Sequence, residues 1–251
     1  WSSDVCSSDL LYFIRHGHRA DQEETYTGGP NPSLSEKGRR QAAYVGQASR
    51  FYEFDVLYTS TMHRALETAQ PIYNALGIPF HAWPALGETA LRTWATLKRL
   101  RKEGLTEAQI QARVMERGGY IPDSAPPDDA LLAAYPGAQF GQPFEWSDAW
   151  GYQPLCLEGQ QEAYARAERV IVSLKRIYKG QDIRIALVGH GNFGSIMMSL
   201  LLQCAPQERN LFSQANGAIS RVDLCPDGSN VLRFLNEVSH LPHELRDSLR
   251  P

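Results

Sequence analysis

The chain has 251 residues, with 25 Lys and Arg against 28 Asp and Glu, and 43% of its residues are hydrophobic. That is enough chain for one large core, or one core with an elaborated cap, and the hydrophobic share is too high for a disordered chain. No run approaches the roughly 18 apolar residues of a membrane span, a net charge of −3 without a basic block argues against nucleic acid, and cysteines at 6, 156, 204 and 225 without a CxxC pair suit neither a disulfide scaffold nor a zinc site.

Residues 1–10 have no starting Met and no apolar period. They read as the translation of a sequencing adapter and are expected to lie outside the fold. Residues 10–14 form an apolar run rich in strand formers, which delivers Arg15-His16-Gly17 at its end. After a Gly/Pro-rich loop, residues 34–48 carry Ala42, Val45 and Ala48 at helical spacing. Residues 55–60 read as a strand, residues 61–76 as a helix, and Gly77 stands where a C-terminal glycine belongs. Residues 183–188 predict a strand that ends in Gly189-His190-Gly191, followed by an apolar helix over 192–202. Segments 217–224 and 231–236 read as strands joined at Pro226-Asp-Gly228.

This alternation predicts an α/β class fold, a three-layer α/β/α arrangement with a mostly parallel central sheet. Residues 11–251 read as a single domain with a helical and loop-like cap insertion over about 90–157. The insertion opens on a basic helix-like stretch, 94–104, then turns Pro-rich. It carries Tyr120, Tyr135, Phe140, Phe144, Trp146, Trp150 and Tyr152, a density that favours a packed cap over a loose loop. Ligands of such sheets bind at the carboxyl ends of the strands. Two predicted strands bring a Gly-flanked His to that edge, and a third leads into Arg64.

A His held beside Arg is equipped to attack a phosphoryl group through a ring nitrogen. Guanidinium groups pair with phosphate oxygens and keep their charge. Phosphoryl transfer needs mainly positioning and charge neutralisation, so two or three Arg around one His suffice without a metal.

With these motifs in order, the chain resembles the histidine phosphatase superfamily, the phosphoglycerate mutase-like proteins. Arg15-His16-Gly17, the loop and helix from Asn31 to Ala42, Ser60-Thr-Met-His-Arg64, Leu86-Gly-Glu88 and Val188-Gly-His-Gly191 carry the likeness. The resemblance implies that His16 is the nucleophile that becomes phosphohistidine. It makes Glu88 the proton donor and His190 the second catalytic His. Arg15, Arg64 and His190 would bind the phosphoryl group, and Arg19 looks like the extra Arg of one phosphatase branch. No cofactor and no metal are implied. Taken alone, Arg64 would read as a solvated helix Arg, Glu88 as a loop carboxylate and His190 as a turn residue.

His18 stands where many members carry Glu or Gln, and Gln22 where cofactor-dependent mutases usually carry Asn. The reading therefore leans to a metal-independent phosphomonoester hydrolase. The alternatives are a cofactor-dependent phosphoglycerate mutase and a catalytically weak phospho-ligand binding protein. The expected partner is a small phosphate ester or other phosphorylated substrate, with no nucleic acid and no membrane, and a homodimer is left open. A cytoplasmic location fits the unpaired cysteines. His18 is assigned to the pocket rim or to solvent, Arg39-Arg40 to a solvated helix face, His240 and His243 to a tail, and Met197 and Met198 to the core.

Overall fold

The computed structural model describes residues 9–28, 31–89, 98–116, 133–139, 158–207 and 209–247. In chain order these give β1 (Asp9–Arg15), α1 (Glu36–Tyr52), β2 (Val56–Thr59), α2 (His63–Leu76) and β3 (Phe80–Ala82). They continue with α3 (Glu107–Glu116), β4 (Ala138–Gln139), α4 (Gln160–Tyr178), β5 (Arg184–Gly189), α5 (Gly191–Leu201), β6 (Ile219–Leu224) and β7 (Asn230–Glu237). The seven strands form one sheet in the order β4-β3-β2-β5-β1-β6-β7. The neighbours from β4 to β1 pair parallel, while β6 is antiparallel to both β1 and β7.

Apolar runs without alternation form the central strands because both faces of the sheet are covered. On β1, Leu11 and Phe13 join one core and Tyr12 and Ile14 the other. On β5 the split is Ile185 and Leu187 against Ala186 and Val188. Residues from α4 and α5 complete the first core, and residues from α1 and α2 the second. This is the expected α/β/α layering. Each fully buried Leu, Ile or Val contributes about 1.5–3 kcal/mol, so side chains on both faces hold these strands in place.

The helix ends follow local chemistry. The Ser35 hydroxyl caps α1 by accepting from Gly38 N–H at 3.1 Å. Gly77 closes α2 with φ +72°, the left-handed conformation glycine adopts without strain.

Several boundaries differ from the sequence reading. β1 begins at Asp9, whose buried carboxylate accepts from the backbone N–H groups of Gly180 and Gln181, so residues 9 and 10 belong to the sheet. α4, with Ala163, Ala167 and Val170 on its buried face, has no counterpart among the predicted elements. β3 is too short for a periodicity signal. Within 90–157, the loop-like part contains the helix α3, and β4 extends the sheet beside β3. Tyr135 packs in the α1–α2 core; the other six aromatics of the insertion lie outside the described residues. His240 is not a loose tail residue, because its ring Nε2 donates to Gly217 O at 3.0 Å from a half-buried position. Met197 and Met198 are core residues, and Arg39 and Arg40 lie on an exposed helix face. Among the described residues, no helix is long and apolar enough to cross a membrane.

Candidate active site

β1 and β5 are parallel neighbours with Arg15 opposite Gly189, so the residues that follow, His16 and His190, leave the sheet side by side. Their rings are edge to face with centroids 5.1 Å apart. β2 pairs with the other side of β5 and ends beside them, which brings Ser60 to His190 Nε2 at 2.9 Å. Arg64, in the first turn of α2, is 2% exposed and directs its Nε to His16 Nε2 at 3.2 Å. The sheet topology thus gathers Arg15, His16, Arg64 and His190.

His16 is 2% exposed, and its Nδ1 lies 2.7 Å from Gly17 O. A carbonyl oxygen can only accept, so Nδ1 carries the proton. In the neutral ring the lone pair is then on Nε2, the atom facing Arg64. Burial foremost, then the charges of Arg64 and Arg15, holds the His16 imidazole well below the ordinary His range. His190 is shifted in the same direction by burial, then by Arg64 and His16. Both rings are neutral at pH 7.

These shifts have a consequence for stability. In the unfolded chain both imidazoles protonate near 6.5, whereas in the folded protein they resist protonation until a lower pH. Below about 6.5 the unfolded state binds more protons, so stability is lost as the pH drops; above that value neither state is protonated and the contribution is flat. The slope is at most about 1.4 kcal/mol per pH unit for each His. Urea unfolding at pH 7.5 and 5.5 measures the drop, which is expected to be smaller in His16→Asn.

Close backbone approach fixes the loop that carries His16. A Cβ on Gly17 would lie 2.5 Å from Gly38 O, and one on Gly38 would collide with His18 O. Gly17 N–H donates to Thr68 Oγ1 at 3.1 Å, and the Thr68 hydroxyl donates to Arg64 O at 2.7 Å. The His16 loop and the α2 turn bearing Arg64 are therefore tied together. Gly38→Ala must push the loop off α1. A loss of about 1–3 kcal/mol with a parallel fall in turnover is the expected result, read from chemical denaturation and initial rates.

Glu88 follows the short turn 84–86 and is half-buried. Its Oε1 accepts from Thr89 N–H and from Phe193 N–H in the first turn of α5, both at 3.0 Å. The Glu88 charge supports that of Arg15, which burial otherwise disfavours. Among the described residues, two buried nitrogens in this cluster have no hydrogen-bond partner, Arg15 Nε and His190 Nδ1. Buried polar groups are rarely left so, and an N–H donor of either kind can pair with an anion's oxygen. The Ser60 hydroxyl can donate to His190 Nε2, which leaves a proton on Nδ1.

Arg19 does not join the contacts. Its Nε pairs with Asp21 at 3.0 Å on the surface, and it reaches His16 only through its charge. His18 is tied through Nδ1 to Ser35 Oγ at 2.9 Å, with Glu23 at 3.5 Å.

Sequence reasoning gave Ser60 a place in a motif but no role, and missed Asn216. The Asn216 side-chain amide donates to His16 O at 3.0 Å and Gly17 O at 3.2 Å, while its own N–H is held by Asp247. The Asn216-Gly217 pair is a turn signal that would have drawn attention to it, and Gly217 has φ +72°. Among the described residues, no group of three or more His, Cys, Asp or Glu could hold a metal ion.

The fold and the cluster define a three-layer α/β protein with a His and Arg site at the carboxyl edge of its sheet. The chain belongs to the histidine phosphatase superfamily (branch 1), whose sequence profile matches residues 11–126 and 132–237. It is 33% identical over 245 residues to a 2,3-bisphosphoglycerate-dependent phosphoglycerate mutase of Cytophaga hutchinsonii, covering 92% of this chain and 93% of that protein. A phosphoglycerate mutase of Schizosaccharomyces pombe is 38% identical over 74 residues, and that match spans 28% of this chain and 35% of the relative's length. A phosphoserine phosphatase of Entamoeba histolytica, solved with 3-phosphoglyceric acid, superposes with a TM-score of 0.59 at 21% identity, covering 93% of this chain and all of that one. At that identity the superposition shows a shared fold.

Proposed function

We propose that the protein is a phosphomonoester hydrolase that works through a phosphohistidine at His16, without a metal ion. The observation that carries this reading is the state of His16. It is neutral, with its proton fixed on Nδ1 by Gly17 O and its Nε2 lone pair turned to Arg64, beside the unpartnered Arg15 Nε and His190 Nδ1.

The substrate is a small phosphorylated molecule. Its phosphoryl oxygens pair with Arg15, Arg64 and His190, and Arg19 adds charge from outside. Nε2 attacks phosphorus and the bond to the ester oxygen breaks. Glu88 gives its proton to that oxygen, because an alkoxide leaves poorly without one. Water then attacks the phosphohistidine, Glu88 takes a proton from the water, and the P–N bond breaks to return neutral His16 and inorganic phosphate. The arginines supply the charge neutralisation that phosphoryl transfer needs.

The test is hydrolysis of para-nitrophenyl phosphate with EDTA present, alongside 3-phosphoglycerate with 2,3-bisphosphoglycerate. Chelator-resistant phosphate release is the expected result. Isomerisation without phosphate release would make the chain a mutase, and binding without turnover would make it a phospho-ligand binding protein.

A further inference from the structure

α4 carries an Arg where its apolar face should continue. Arg166 falls among Ala163, Ala167 and Val170 and is 2% exposed. Its partner Glu158 is also buried, with bonds from Arg166 Nε to Oε1 at 2.7 Å and from Nη2 to Oε2 at 2.6 Å. The remaining nitrogen, Nη1, donates to Ala85 O at 2.7 Å and Gly87 O at 2.8 Å. These carbonyls belong to the two residues flanking Leu86, immediately before Glu88 in the chain. The face of the guanidinium lies 3.9 Å from the centroid of the Phe193 ring. Phe193 is the residue whose backbone N–H binds Glu88 Oε1. One guanidinium therefore grips both the chain that leads into Glu88 and the residue that holds its carboxylate.

A buried ion pair is a poor stabiliser compared with apolar side chains of similar volume, because both ions lose their hydration. A purely structural role would be filled as well by Met and Leu. Fixing two carbonyls and one aromatic ring at once requires a planar fork with donors on several edges, which Arg has and Lys lacks. We infer that Arg166, with Glu158 as its counter-ion, is a positioning residue for Glu88, holding the carboxyl where it can protonate the leaving oxygen. The assignment rests on the phosphohistidine reading above.

General-acid catalysis has a readout that simple loss of structure does not move. para-Nitrophenolate, with a pKa of about 7, leaves without help, whereas phenolate, with a pKa of about 10 like that of Tyr, needs a proton more. Up to the first irreversible step, kcat/KM reports expulsion of the leaving group. The experiment measures kcat/KM for para-nitrophenyl and phenyl phosphate with the wild type, Glu88→Gln, Arg166→Met, Arg166→Lys and the double variant Arg166→Met/Glu158→Leu. The double variant leaves no unpaired buried charge and serves if the single ones fail to fold.

The expected result is that the Arg166 variants resemble Glu88→Gln. Phenyl phosphate should lose about tenfold more than the nitrophenyl ester, a part of the about 10²–10⁴-fold that general-acid catalysis contributes, and Lys should not restore it. An equal fall for both esters, or no fall, in variants whose turnover still requires His16 would overturn the assignment alone. Turnover that survives His16→Ala, or no turnover of either ester by the wild type, would overturn the phosphohistidine reading and the assignment with it.

Discussion

Replacing His16 by Ala is expected to lower kcat for phosphate release by about 10⁴-fold or more, the loss typical when the nucleophile of a covalent mechanism is removed. The size follows from what the ring contributes. Its Nε2 is an unprotonated nitrogen on a buried ring, and it accepts from Arg64 Nε at 3.2 Å. Burial and two guanidiniums keep that nitrogen unprotonated through the ordinary His range, so activity should not fall through loss of the nucleophile as the pH passes below 6.5. On the proposed phosphohistidine route the variant also lacks the covalent intermediate. Acid-labile, alkali-stable radiolabel from the substrate should be trapped on the wild type and absent from the variant. Label that persists in His16→Ala would place the nucleophile elsewhere.

Arg64→Ala is the second large effect, with an expected loss of about 10³-fold in kcat/KM, the scale of removing a charged donor from a developing phosphoryl transition state. Arg64 is 2% exposed and held to the nucleophile loop through Thr68. That link holds its backbone, and its Nε donates to His16 Nε2 at 3.2 Å, so the guanidinium is placed before any substrate arrives and little reorganisation is needed during the reaction. Arg64→Lys should recover part of the charge but not the forked geometry, and is expected to remain at least tenfold below the wild type. The same variants report on His190. With Arg64 gone, one of the charges that hold its imidazole low is removed, so its ring should titrate at a higher pH in an NMR titration. An unchanged His190 titration would mean that burial alone sets the shift.

The Glu88 network shows where the sequence was legible and where it was not. Glu88 itself stood out because its place after Leu86-Gly87 matched the order of the other motifs. Its supports did not. Glu158 and Arg166 are distant in sequence from Glu88, and a charged residue on a helix reads by default as solvent-facing. The one available signal was spacing, since Arg166 lies on the face marked by Ala163, Ala167 and Val170. Asn216 was hidden for a related reason. Its bond to His16 O spans |i−j| = 200, which no local pattern reports. Arg19 is a different case: the family likeness made it a phosphate ligand, and in the fold its side chain pairs with Asp21 and reaches His16 through its charge.

By itself the sequence determined the class of fold, the central strands β1, β2 and β5, the helices α1, α2 and α5, and the Arg, His and Glu motifs that carry the family likeness. These are local properties. An apolar run buried on both faces, a helical period and a Gly-flanked His are each written within a few neighbouring residues. Only the tertiary structure decided that β5 inserts between β1 and β2, and so sets His16 beside His190 and Ser60. It alone decided that Arg64 is buried rather than solvated, that His16 carries its proton on Nδ1, and that a buried Arg166–Glu158 ion pair reaches the carbonyls of the chain leading into Glu88. These outcomes depend on dehydration and on hydrogen bonds between residues far apart in sequence, which exist only once the sheet and its two helical layers have closed.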